Sequence, residues 1–157
     1  MIPFLSVALF TLLSNSNAKA EELIQYIDCH FANPASTDHV VVSLESSLSG
    51  SFYYTTGIDD QGNDQNTGRL ALHQVESPAS SSTDALFLAQ FMTVQDGSKI
   101  TINFNFSMPK DLLFKSSDFF NARLTTDIID KNQWTHTNLT TDDELTCFAR
   151  LYPKNLL

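Results

Sequence analysis

The residues with the most specific chemistry in this chain are its two cysteines, Cys29 and Cys147. No C-x-x-C pair is present, and two thiolates alone make a poor metal site. Cys29 stands between Ile27 and Phe31, and Cys147 between Leu145 and Ala149, each on the apolar side of an alternating segment. In an oxidising compartment such a pair forms and persists as a disulfide. The expected Cys29–Cys147 bond would make the first and last strands neighbours. A closed loop of this length is worth about 4–5 kcal/mol in the chain-entropy account.

Two other groupings could bind something. The loop from Asp59 to Asn66 offers Asp60, Asp64 and Asn66 as hard oxygen ligands, the kind calcium prefers. Its spacing departs from the EF-hand pattern, because Gly62 comes early and no glutamate closes the loop. Ordinary turn formation accounts for the same residues. Phe52, Tyr53 and Tyr54 form an aromatic run. In a strand, adjacent residues face opposite sides, so the run divides between a core face and a candidate contact patch for a ligand or partner.

Catalytic patterns are missing. The four histidines, His30, His39, His73 and His136, form no H-x-H or H-E-x-x-H arrangement. There is no G-x-S-x-G elbow, phosphate loop or dinucleotide fingerprint. The residues therefore call for no enzyme, cofactor or firm metal site. A secreted hydrolase would need a site assembled from residues distant in sequence. Asn105-Phe106-Ser107 and Asn138-Leu139-Thr140 match the glycosylation acceptor pattern, which matters in a eukaryotic host.

Composition bounds the setting. The chain has 157 residues, one domain's worth, with 42% hydrophobic and only 17% charged residues. Eighteen acidic residues against nine basic give a net charge of -9, which argues against binding nucleic acid. Ile2 to Leu13 is an apolar run, and Ala18-Lys19-Ala20 supplies a small-x-small site after it. That is the pattern of a secretory signal peptide over residues 1–20, too short to span a bilayer. No lysine or arginine precedes the run. Cleavage after Ala20 would leave a single domain over 21–157, secreted or periplasmic. It would also be one unit more acidic, since Lys19 is the only charge removed. No second apolar segment reaches spanning length.

The elements that must position these residues read as strands. Lys99 to Ser107 sets Ile100, Ile102, Phe104 and Phe106 against polar neighbours with period two. Ala85 to Gln95 precedes it, and Asp96-Gly97 between them is a strong hairpin signal. A two-residue turn there pairs Ile100 with Thr93, Ile102 with Phe91, Phe104 with Ala89 and Phe106 with Phe87. A one-residue slip would mix the two faces. Further strands are expected at Leu23–Phe31, Asp38–Ser46, Ser51–Thr56, Arg69–Val75, Phe120–Ile128 and Glu144–Tyr152, with a weaker one at Gln133–Thr137. Turns are expected at Ser49-Gly50, Asp59–Gly68, Ser77–Thr83 and Asn138–Asp143, and one helical turn over Pro109–Phe114.

About eight or nine short alternating strands imply an all-β fold, an antiparallel sandwich or a closed barrel with its terminal strands adjacent. Size and export signal invite comparison with lipocalins. That family's glycine-x-tryptophan motif near the first strand is missing, since the single tryptophan is Trp134. An outer-membrane barrel would need apolar residues facing lipid on nearly every strand. Three functions follow. The first is a non-enzymatic binding or structural surface protein. The second is a barrel that carries a small apolar ligand. The third is the hydrolase. A cavity of several hundred cubic ångströms lined by Phe and Ile would single out the second.

Overall fold

The computed structural model describes residues 22–32, 38–58, 61, 64–75, 83–95, 97–131 and 136–156. The expected leader (1–20), Asp60, Asp96, Trp134 and most of the Ser77–Thr83 segment lie outside them. The described residues form nine strands: β1 (Leu23–Phe31), β2 (His39–Glu45), β3 (Ser49–Ile58), β4 (Asp64–Asn66), β5 (Leu70–Val75), β6 (Asp84–Gln95), β7 (Ser98–Pro109), β8 (Ser117–Lys131) and β9 (His136–Pro153). Two short 3-10 turns, Lys110–Leu112 and Lys154–Leu156, are the only helical elements among them. The first follows Pro109, inside the segment where the sequence calls for a helical turn.

The fold is all-β, and of the two expected architectures it is the barrel. Going round, β1, β2, β3, β5, β6, β7, β8 and β9 each pair antiparallel with the next, and β9 pairs back to β1. The small β4 flanks β3. Closure follows from the alternation in the sequence. Each strand has one apolar face, and turning all those faces inward buries them while leaving no unpaired edge.

The β6–β7 register is the one that the hairpin reading requires. Ile100 pairs with Thr93, Ile102 with Phe91, Phe104 with Ala89 and Phe106 with Phe87. Gly97 takes φ +78°, the left-handed geometry that tight hairpins need. The interior mixes large and small side chains. Phe52, Phe87 and Phe106 are fully buried, and Ala89, Ala122 and Ala149 make room for them. Phe52 and Phe104 stack with ring centroids 5.0 Å apart.

Cys29 and Cys147 sit directly opposite one another on β1 and β9 and form a disulfide across the seam where the barrel closes. Both are buried.

The strand starts of β1, β3, β6 and β8 gather at one end, which is plugged. Gln25 is fully buried there. Its Nε2 donates to the carbonyls of Leu112 and Lys115, both at 2.7 Å, and its Oε1 accepts from the Phe114 N–H at 2.9 Å. This draws the β7–β8 connection across the barrel, where Leu112, Leu113 and Phe114 pack on the core. Phe114 adopts φ +53°, a conformation disfavoured for a bulky residue. The glutamine contacts and the packing hold it there.

Several expected turns are strands instead. Asn138–Asp143 lies inside β9, paired with Leu124 to Ile129 of β8. Its polar residues mimic a turn locally, but pairing with a long partner extends them. Residues 136–137, assigned to a separate weak strand, begin the same β9. The Asp59–Gly68 segment contains β4. Ser49 and Gly50 belong to β3, while the chain reverses over 46–48, with Leu48 at φ +58°. Gly50 serves close approach rather than the turn, because a Cβ there would fall on the Ser43 carbonyl. Gly50→Ala should lower stability by about 2 kcal/mol, read from the urea midpoint at constant slope. An unchanged midpoint would mean that the β2–β3 pair opens freely.

On the outside, β6 to β9 carry a hydrogen-bonded polar ladder. Gln90 Nε2 donates to Asn103 Oδ1 (2.8 Å), Asn105 Nδ2 to Asp127 Oδ2 (3.1 Å), and Thr140 Oγ1 to Asp127 Oδ1 (2.8 Å). A lipid-facing barrel has an apolar band in this position.

Candidate binding cup

At the end opposite the Gln25 plug, the described residues line a cup of about 430 Å³ above the core. Its walls follow from the paired registers. Phe91 of β6, Ile102 of β7 and Ile128 of β8 lie side by side on the inward face. Leu139 of β9 continues the row and is more than half exposed beyond the mouth. Phe104 forms the floor at 2% exposure, with the Tyr54 ring 5.6 Å away. The polar lining is Thr126 and Thr141, which pair across β8 and β9, together with Asp143 and residues 65–67.

The connection from β3 to β5 is pinned beside the mouth. The Tyr54 N–H donates to Thr67 Oγ1 (3.2 Å), and the Thr67 N–H donates to the Tyr54 carbonyl (3.0 Å). Asn66 Oδ1 accepts from the Gly68 N–H at 2.9 Å. These bonds set Gln65, Asn66 and Thr67 beside the cup, with Gln65 and Asn66 still exposed.

Tyr54 carries the clearest electrostatic signature. Burial pushes its phenol up to about 12, and the carboxylates of Asp38 and Asp143 add to the shift. Its hydroxyl donates to Asp38 Oδ2 over a long 3.5 Å. A phenol at this position stays neutral at any physiological pH. It can donate one hydrogen bond and accept another.

The aromatic run divides between two faces. Phe52 is buried in the core, Tyr54 reaches the cup, and Tyr53 points outward. Of the calcium candidates, Asn66 contributes its Oδ1 to the Gly68 N–H. Asp64 is placed by its backbone alone, opposite Ile58 in the β3–β4 pair. No group of three or more His, Cys, Asp or Glu side chains gathers among the described residues. His30 is exposed on the outer face, 3.7 Å from Asp28, and its ring centroid lies 6.0 Å from that of His39. Asn105 lies outward in mid-strand, half-buried and bonded to Asp127. A wider groove of about 600 Å³ crosses the outer face of β1, β2, β3 and β5. Its Lys154 is already bridged to Glu22 and Glu45, each at 3.2 Å.

Ile102 and Phe91 were legible as wall residues from the hairpin register. Asp143 and Thr141 were missed because their segment reads as a turn. Continuing the period of two backward from Leu145 places Asp143, Thr141 and Leu139 on the inward face, and that signal could have found them.

These features define an eight-stranded up-and-down barrel, plugged at one end and cupped at the other. Comparison with known proteins adds no relative: no family model, curated protein or solved structure matches the chain.

Proposed function

We propose that this chain is an exported binding protein that carries a small, largely apolar molecule in the cup. A single observation favours this over a purely structural role or a hydrolase: an opening of about 430 Å³ walled by Phe91, Ile102 and Ile128 and floored by Phe104. Ligand sites are concave and mostly apolar, with a few polar groups that orient the occupant. Small barrels of this type hold one such ligand at the mouth. The buried Cys29–Cys147 bond suits a secreted or periplasmic location.

The test is a fluorescence titration of the oxidised protein with N-phenyl-1-naphthylamine, a neutral apolar probe. Saturable one-to-one binding is expected, weakened at least about tenfold in Ile102→Glu, which sets a carboxylate on the apolar wall. Circular dichroism should show the variant folded. Probe binding that fails to saturate in the parent protein, or that survives Ile102→Glu unchanged, would remove the cup as the site.

A further inference from the structure

The cup is graded along its depth. The β8–β9 pairing sets three successive inward-facing pairs. Leu124 opposite Asp143 is deepest, Thr126 opposite Thr141 comes next, and Ile128 opposite Leu139 lies at the rim. Along the β8–β9 wall Asp143 and Thr141 therefore lie below the apolar Ile128 and Leu139, beside the Phe104 floor. An occupant that satisfies both must enter polar end first.

The charge of that bottom is equally defined. Among the described lining residues, Asp143 is the only charged side chain, and no lysine, arginine or histidine joins it. Asp143 is half-buried, not solvated on a rim. Its neighbour Asp142 points the other way, toward the outer face, where its carboxylate lies 3.6 Å from Arg123 and accepts from Thr125. One of two adjacent carboxylates is thus matched by a cation, and the other faces the cavity with none.

We infer that the cup selects a molecule bearing a protonated amine, seated head-down on Asp143 with its apolar body against Phe91, Ile102 and Ile128. This rests on the cup being a ligand site. An ammonium group has three donors and no acceptor. Asp143 and the hydroxyls of Thr141 and Thr126 offer acceptors at the depth the head would reach. The bond to a carboxylate is charge-assisted and strengthened by the low dielectric of a half-closed cavity. A carboxylate-headed molecule of the same body would set two like charges together there. The neutral Tyr54 phenol beside the site adds a hydrogen-bond partner without adding charge. The distance from the Asp143 level to the Ile128 level is four residues of strand, roughly 13 Å, which matches a ten-carbon chain.

The experiment displaces N-phenyl-1-naphthylamine with three molecules of one body and different heads: decylamine, decanol and decanoate, at pH 7 and below their micelle concentrations. Decylamine should displace the probe at least about tenfold more tightly than decanoate, with decanol between. Asp143→Asn should erase the advantage of the amine over the alcohol and leave decanol unchanged. Asp142→Asn removes the same unit of charge from the outer face and should leave the order intact. Equal displacement by all three heads, or an equal effect of the two substitutions, would overturn the head-group assignment while leaving the cup as an apolar site. If the probe itself fails to bind, the carrier reading falls instead. Should Asp143→Asn fail to fold, the order of the three heads on the parent protein still decides.

Discussion

Replacing Cys29 and Cys147 together with alanine should lower the unfolding free energy by about 4–5 kcal/mol and the melting temperature by roughly 10–20 °C. The effect is large because of where the bond lies. The two residues are 118 positions apart in a chain of 157, so the link closes a loop over most of the unfolded chain. They are also the seam of the barrel: β1 and β9 are the first and last elements, and no connecting turn holds them together. Every other neighbouring pair in the ring is joined by a chain segment that limits its unfolded separation. The β1–β9 pair has only the disulfide for that. Both sulfurs are buried among Ile27, Leu145 and other core side chains, so the alanine pair also leaves a small void. Urea titration of oxidised parent and double variant measures this directly. A difference below about 1 kcal/mol would show that β1–β9 pairing alone keeps the seam closed in the unfolded ensemble as well.

Gln25→Leu should destabilise the protein by about 3–5 kcal/mol, although leucine is apolar and of similar size. The loss comes from the backbone groups that Gln25 satisfies. The carbonyls of Leu112 and Lys115 and the N–H of Phe114 all bond to this one side chain. The Leu112 carbonyl keeps the Lys115 N–H at 3.2 Å, but the Lys115 carbonyl and the Phe114 N–H lose the partner shown here, each at a desolvation penalty of roughly 1–3 kcal/mol. The partners lie 87 to 90 positions from Gln25, so no local rearrangement replaces it. The expected readouts are a lowered urea midpoint and faster tryptic cleavage at Lys110 and Lys115 under native conditions, since the plug is released. Probe binding at the other end of the barrel should be preserved. Unchanged stability with an intact plug would mean that the packing of Leu112 and Phe114 suffices.

How much of this was legible differs from residue to residue. The β6–β7 register could be written from Asp96-Gly97 and the flanking apolar pattern, because a two-residue turn and a one-sided core leave a single solution. Two cup walls, Phe91 and Ile102, came with it. The cysteine pair was legible from apolar placement and the expected leader. Asp143 was not, because a run of Asn, Thr and Asp looks like a turn unless a fifteen-residue partner strand is known to lie beside it. Gly50 was legible as special but for the wrong reason. Its role is an approach between two strands, which a single segment does not show. Gln25 shares the parity of Ile27 and Cys29, which places it inward, but nothing in its segment names the loop it holds.

The sequence by itself determined the all-β character, the inward faces of most strands, one hairpin register and the pairing of its cysteines. These depend on period and composition within a few residues, which side-chain alternation encodes directly. Only the tertiary structure decided that the sheet closes as a barrel, that Gln25 plugs one end, and that Asp143 lies beneath an apolar mouth at the other. Those outcomes depend on pairings between separate segments, such as Ile27 with Ala149 where the barrel closes, Gln25 with Lys115 at the plug and Leu124 with Asp143 in the cup. No local pattern specifies such pairings, because they are selected by the burial of all the faces at once.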